Sequence, residues 1–348
     1  SRAVAQPTSR AGVFGASERP FVEIHAFGPA DMAGGDDRTV TEQVRAAIDQ
    51  VLASCNLPTV WAGVGDDGLR AYLGHASGDD DLVRCPACSQ AAERSWAATN
   101  WPDPPDETEL PTDEIATPGC DTIASLAEFL VIPASRTLKM VFYSVEGAVN
   151  CVVIRGDRAV DEAKLARVLG TDWYYASLED ELEAVGAVGG YASPIGLDSN
   201  RVRVIADPSV RSGKNFVSGA NRPDFHIQNV NVPRDFVPGE WADLALVEPG
   251  DPCPQCSSPL EIEPAFSLAQ SFPSEPCKPE AEYLDSGGRS QPLWMASWQL
   301  DLGRLMAAII EEHHDDYGIC LLYTSDAADD EYDVCVWVGG GGCVRGGG

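Results

Sequence analysis

IATPGCDTIASLAEFLVIPASRTLKMVFYSVEG, residues 115 to 147, passes from a helix pattern to a strand pattern within a few residues. Asp121 stands where a side-chain oxygen can accept from the first free N–H groups of a helix, and Ile123, Leu126, Phe129 and Leu130 of TIASLAEFL then share one helical face. LKMVFYSV is rich in β-branched and aromatic residues. It is separated by EGA from a similar run, NCVVIRG, which predicts a hairpin. Further along, DEAKLARVLG reads as a short helix stopped by Gly170, and Ser177 opens another, LEDELEAVG, stopped by Gly186. RVRVIAD, KNFVSG and FHIQNVNV supply three more strands. Strands outnumber helices, so residues 120 to 236 are expected to form an α+β domain around a mixed sheet.

Outside this block the character of the chain changes. WPDPPDETELPTDEIATPG, residues 101 to 119, is rich in proline and acids and lacks either period, which predicts an exposed linker. The 348 residues leave room for a second domain with its own core. The chain has 24 basic and 54 acidic residues and a net charge of −30, which disfavours non-specific attraction to nucleic acid or an anionic membrane. The charge is uneven: residues 136 to 235 hold 12 of the 24 Lys and Arg and 13 of the 54 Asp and Glu, leaving that segment at −1 and the rest at −29. Three of the four lysines, Lys139, Lys164 and Lys214, lie there, so a polyanion would dock in this segment. No apolar run approaches the roughly 20 residues of a membrane helix, and no signal-peptide core opens the chain. Eleven cysteines without secretory context fit a reducing compartment, so a soluble cytoplasmic protein is expected. Ser1 in place of an initiator Met suggests a chain that begins mid-gene. The Gly-rich stretch 321 to 348 has no periodicity and is too degenerate for a phosphate loop, and is expected to be a non-native or disordered tail.

Two Cys-x-x-Cys pairs flank the central block, CPAC (Cys85, Cys88) and CPQC (Cys253, Cys256). Such spacing lets two thiolates reach one metal from a tight turn, so four-cysteine zinc binding and two reduced turns that merely pack are both open. A redox role is weaker, because neither pair follows a strand and opens a helix. Cys151 lies in an apolar strand and reads as core, and no GxSxG elbow is present. His313 and His314 in EEHHDD read as a solvated helix end.

Several stretches, in order, resemble bacterial-type prolyl-tRNA synthetase: CPACSQAAE, the opening run from Ile115, VVIRGDRAVDEAKLARVLG, SPIGL, VIADPSV, NFVSGANRPDFH, NVNVPRDF and ADLALVEPGDPCPQC, then AEYLDSGGRSQP and GRLMAAIIEEHHDDYGI. The resemblance covers roughly Arg10 to Ile319. It implies a partial class II catalytic core with an antiparallel sheet (residues 1 to 100 and 237 to 320), the 101 to 119 linker, and an inserted editing domain over 120 to 236. In that family the insertion hydrolyses alanine wrongly esterified to tRNA(Pro). A pocket built for proline cannot strongly reject the smaller alanine, since lost apolar contact is worth only ~1–3 kcal/mol.

By the same resemblance, Lys139 matches the lysine that contacts the phosphate of the terminal adenosine. Gly190 and Pro194 of GYASP match a GxxxP loop bordering the aminoacyl ester. Asp207 of VIADPSV and His226 of GANRPDFH match polar residues around the alanyl group, and Gly219 would let backbone approach substrate. Hydrolysis needs water set against an already activated ester and backbone donors for the oxyanion, with the tRNA's own ribose hydroxyl thought to assist. Editing would then need no cofactor, and the partner would be the acceptor end of tRNA(Pro). Singly, each residue has an ordinary explanation: a strand lysine, a turn former before Pro208, a loop, a solvated imidazole. Together, in family order and inside the near-neutral segment, they point to one site.

The synthetase motifs are less complete. Arg10, Gly12, Glu18 and Phe27 keep their places in the second class II motif, while its upstream arginine and glutamate fall on Val4 and Gln6. In the third motif Arg304 remains for ATP, but Ala296, Gln299 and Asp301 replace glycines, and the aspartate would repel phosphate. An active ligase using ATP and Mg²⁺, with Arg10, Glu18 and Arg304 on the nucleotide, is therefore the alternative. A non-catalytic tRNA-binding pseudo-synthetase or gene fragment is a further one. A homodimer through the class II core is also implied.

Overall fold

The computed structural model describes residues 20–28, 39–65, 68–198, 200–277 and 281–314. Arg10, Gly12, Glu18 and the tail from residue 321 lie outside them. The chain divides into two compact units, one formed by the residues up to Thr59 together with those from Ser274, the other by Val60–Pro273. The second unit takes in the expected insert and the segments on both sides of it.

In the first unit Phe21–Gly28 pairs antiparallel with Trp294–Asp301, Phe21 opposite Asp301 and Gly28 opposite Trp294. Helices Thr39–Ser54 and Leu302–His313 belong to the same unit, and His313 Nε2 lies 2.9 Å from the Cys55 carbonyl. The helix from Leu302 has a local cause. Asp301 accepts from the Arg304 N–H at 2.8 Å and caps it, which gives that aspartate a structural reason to be there.

In the second unit the expected hairpin is present as Leu138–Val145 and Ala148–Arg155, closed by Glu146 (φ 49°) and Gly147 (φ 82°). Positive φ at both turn residues matches the right-handed twist of the strands. Ala148–Arg155 also pairs in parallel with Val202–Ala206, so the sheet is mixed, in the order 240–241, 202–206, 148–155, 138–145, 175–176. The strand Ala148–Arg155 is buried on both faces. Cys151 and Val153 pack with Phe142, Phe216 and Val230, while Val152 and Ile154 pack with Leu165, Ile205 and Leu244. Helix Glu162–Leu169, capped by Asp161 and ended by Gly170 at φ 73°, covers the second of these faces.

Three expectations need correction. The first helix is Ile123–Leu130, capped by Thr122 in reciprocal bonds with Ser125, one residue past Asp121. Helix Glu179–Ala184 begins after Leu178, whose N–H goes to Glu181; Ser177 instead bonds Ser144 at 2.7 Å. The stretch 101 to 119 is not wholly linker, because Asp113–Ala116 is a strand paired with Phe225–Val230. Four residues, half of them acidic, are too few to display a period, and the neighbouring strand edge supplies the order. Trp101 packs against Arg155 and Arg158, whose guanidinium carbons lie 4.9 and 4.7 Å from its ring centre.

Candidate functional site

Phe216–Gly219, Phe225–Val230 and Asp113–Ala116 form a three-stranded antiparallel sheet, with His226 opposite Gly219 on one side and Ile115 on the other. His226 is therefore not the solvated edge histidine its sequence context suggests. It is buried, with Nδ1 2.6 Å from the hydroxyl of fully buried Thr117. Its Nε2 makes no hydrogen bond among the described residues. Burial holds its pKa below the usual imidazole value, so the ring is neutral at pH 7.

The GYASP loop is seated directly beside it. A Cβ on Gly219 would run into the carbonyl oxygens of Tyr191 and Ala192, so only glycine lets the loop lie this close. Asn221, in the left-handed region at φ 50°, clamps the loop. Its N–H donates to the Tyr191 carbonyl, its Oδ1 accepts from the Ser193 N–H, and its Nδ2 donates to the Ile195 carbonyl. Buried Ser218 and Ser193 meet through their hydroxyls at 3.3 Å. Gly190, at φ 77°, faces Asp121, whose Cβ would lie 3.0 Å from an added methyl. The Tyr191 ring lies 5.7 Å from that of His226, and its hydroxyl donates to Asp224 at 3.1 Å. Burial and this bond raise the Tyr191 pKa, keeping it a neutral donor. Pro194, the last residue of the loop, is buried.

Lys139 and Asp207 are placed differently. A parallel bridge between Thr137 and Val217 ties the two strands carrying Lys139 and Gly219, but the Lys139 ammonium donates to the Arg158 carbonyl at 2.6 Å. Burial lowers its pKa, opposed by nearby Asp157. Asp207 is fully buried. One oxygen accepts from the Ser209 N–H at 2.8 Å, the other from the N–H groups of Leu244 and Ala245 at 2.7 and 2.8 Å. Fully buried and accepting three backbone N–H groups, Asp207 anchors backbone in this structure. A concavity of about 620 Å³ lined by Val145, Asn150, Leu169 and Arg203 contains none of these residues.

Sequence reasoning missed Thr117, Tyr191, Ser193 and Asp224 as members of the cluster. Only the position of Thr117 in TPG, a turn ahead of a helix, hinted that it was set for a purpose. The four paired cysteines do converge, with all sulfurs within 4.8 Å of one another, a donor set able to hold zinc.

Residues 117–236 match the family model of the aminoacyl-tRNA editing domain. Across 326 residues, 90% of this chain and 56% of the relative, the sequence is 35% identical to a proline--tRNA ligase of Dehalococcoides mccartyi (strain CBDB1). It is 32% identical over 323 residues to a proline--tRNA ligase of Aquifex aeolicus (strain VF5), covering 89% of this chain and 56% of that one. The chain thus spans about half the length of the curated relatives it matches. Among solved structures, one described as a "putative trans-editing enzyme for prolyl tRNA synthetase" aligns with 38% of this chain and 86% of its own, at 16% identity and a TM-score of 0.34.

Proposed function

We propose that this relative of the bacterial proline--tRNA ligases hydrolyses the ester of alanyl-tRNA(Pro) with its 117–236 segment. The observation that carries the reading is the seating of the 190–194 loop on Gly219 beside His226. Water adds to the ester carbonyl, the bond to the ribose oxygen breaks, and that oxygen takes up the proton, leaving alanine and free tRNA(Pro). Neutral His226 acts through Nε2 as a hydrogen-bonding group that orients the alanyl end, with Thr117 fixing its ring. Backbone groups of Gly190 to Ser193 border the ester. The close approach of loop and strand keeps the space alanine-sized, so proline is excluded by bulk. Lys139 exchanges the Arg158 carbonyl for a phosphate of the terminal adenosine. No cofactor enters this chemistry.

The test is hydrolysis of Ala-tRNA(Pro) by the purified chain, with Pro-tRNA(Pro) as the control. Loss of the alanyl ester well above the buffer rate is expected, with Pro-tRNA(Pro) spared, and His226→Ala should slow turnover by about 10²-fold if its hydrogen bond serves the transition state. An Ala-tRNA(Pro) half-life equal to that in buffer overturns the reading.

A second reading, aminoacylation with ATP and Mg²⁺, is favoured by the identity to ligases across 90% of the chain. Against it, Asp301 serves as a helix cap where the nucleotide motif expects glycine. Proline-dependent exchange of pyrophosphate into ATP decides it. The third reading, a tRNA-binding pseudo-synthetase, predicts binding without turnover in both assays. A cytoplasmic location and a homodimer through the class II core accompany the ligase ancestry.

A further inference from the structure

CPACS and CPQCS, the turns at Cys85–Ser89 and Cys253–Ser257, are near copies in structure as well as sequence. In each, the first cysteine's carbonyl accepts from the following serine's N–H, Ser89 to Cys85 at 3.0 Å and Ser257 to Cys253 at 2.9 Å. The first cysteine's own N–H donates just beyond, to Gln90 and to Ser258 respectively. Ser89 and Ser257 both adopt the left-handed conformation, at φ 60° and 59°. This turn points both thiols of a pair the same way, and the two turns face each other: Cys85 Sγ is 3.4 Å from Cys256 Sγ, and Cys88 Sγ is 3.6 Å from Cys253 Sγ.

We propose that Cys85, Cys88, Cys253 and Cys256 form a tetrathiolate Zn²⁺ site that staples the base of the insert. Four sulfurs at ~2.3 Å from a tetrahedral zinc stand about 3.8 Å apart, close to the spacing here, whereas a disulfide needs ~2.05 Å. The Gln255 N–H points at Cys253 Sγ from 3.4 Å, the kind of outer bond that supports a ligating thiolate. Cys85 and Cys253 are buried with Val83, Ala97, Val247 and Leu260, while Cys88 and Cys256 are exposed, leaving a route for the ion. An all-sulfur tetrahedral set selects zinc among abundant divalent ions.

The consequence is mechanical. The two turns bracket the whole segment that carries the candidate site, so one ion would close that long excursion at its neck. The same neck is held by Arg158 to Asp251 at 2.7 Å, two residues before Cys253, and by Arg94 Nε to the Val247 carbonyl at 2.9 Å. The proposal is independent of the deacylase reading, since no thiol takes part in that reaction.

The experiment is metal analysis of the full chain purified under reducing conditions from zinc-supplemented medium. About one zinc per chain is expected, released when a mercurial titrates four thiols. A cobalt-exchanged sample should show thiolate-to-cobalt charge transfer and intense tetrahedral d–d bands. Cys88→Ser with Cys256→Ser changes only the two exposed ligands. It should reduce zinc to below about a tenth of an equivalent and lower the thermal midpoint while far-UV circular dichroism is kept. If that variant fails to fold, the mercurial and cobalt results on the unaltered chain decide alone. Fewer than about a tenth of an equivalent of zinc in the unaltered chain, iron in its place, or mapped disulfides among these cysteines overturns the proposal.

Discussion

Gly219 carries the tightest constraint in the candidate site. A methyl group there meets two backbone carbonyls rather than a movable side chain, so relief requires the 190–194 loop to lift. Gly219→Ala is expected to destabilise the chain by about 1–3 kcal/mol, as overpacking does, and to reduce deacylation by more than that loss of stability explains. Urea unfolding beside the Ala-tRNA(Pro) assay checks both. His226 makes a pH prediction. Its folded pKa lies below its unfolded value of about 6.5, so the unfolded state binds the proton more readily. The stability gained from keeping the ring neutral is therefore complete above about pH 6.5 and is lost as pH falls through the lowered folded value. Thermal midpoints of the native chain should fall faster below pH 6.5 than those of His226→Gln; parallel curves would remove the histidine as the cause.

Among elements, the helix Glu162–Leu169 shows how a charged residue can belong to a core. Lys164 is 2% exposed, and its ammonium reaches the Ala97 and Ala245 carbonyls at 2.7 and 2.9 Å and both Asp243 oxygens at 3.0 Å. Lys164→Met leaves those acceptors without a donor and is expected to cost about 2–4 kcal/mol, read as a shift of the urea midpoint at unchanged slope. In the sequence Lys164 was one of three lysines in the segment expected to receive a polyanion; its burial takes its ammonium out of a polyanion's reach. Most elements here were legible because their causes are local. The 146–147 turn, the Asp161 cap and the Gly170 stop act within one or two turns of chain. Asp113–Ala116 was not legible, because its order comes from a strand more than a hundred residues away.

For the molecule as a whole, the uneven charge sets behaviour in solution and the approach of other charged molecules. With an isoelectric point near 4.3, the chain should be least soluble around that pH and disperse again above it as the acids ionise, which turbidity against pH will test. Residues 136 to 235, at a net −1, are where a polyanion meets least repulsion, and the Gly190–His226 cluster lies in that stretch. Short-range patterns in the sequence determined the helices, the hairpin and the strands of the mixed sheet, because capping, turn chemistry and side-chain alternation act between near neighbours. Which distant groups meet was decided by tertiary structure alone. It set Asp207 among backbone N–H groups, placed Thr117 against His226, and brought two cysteine turns face to face, since a buried polar atom takes whatever partner the packed core brings within reach.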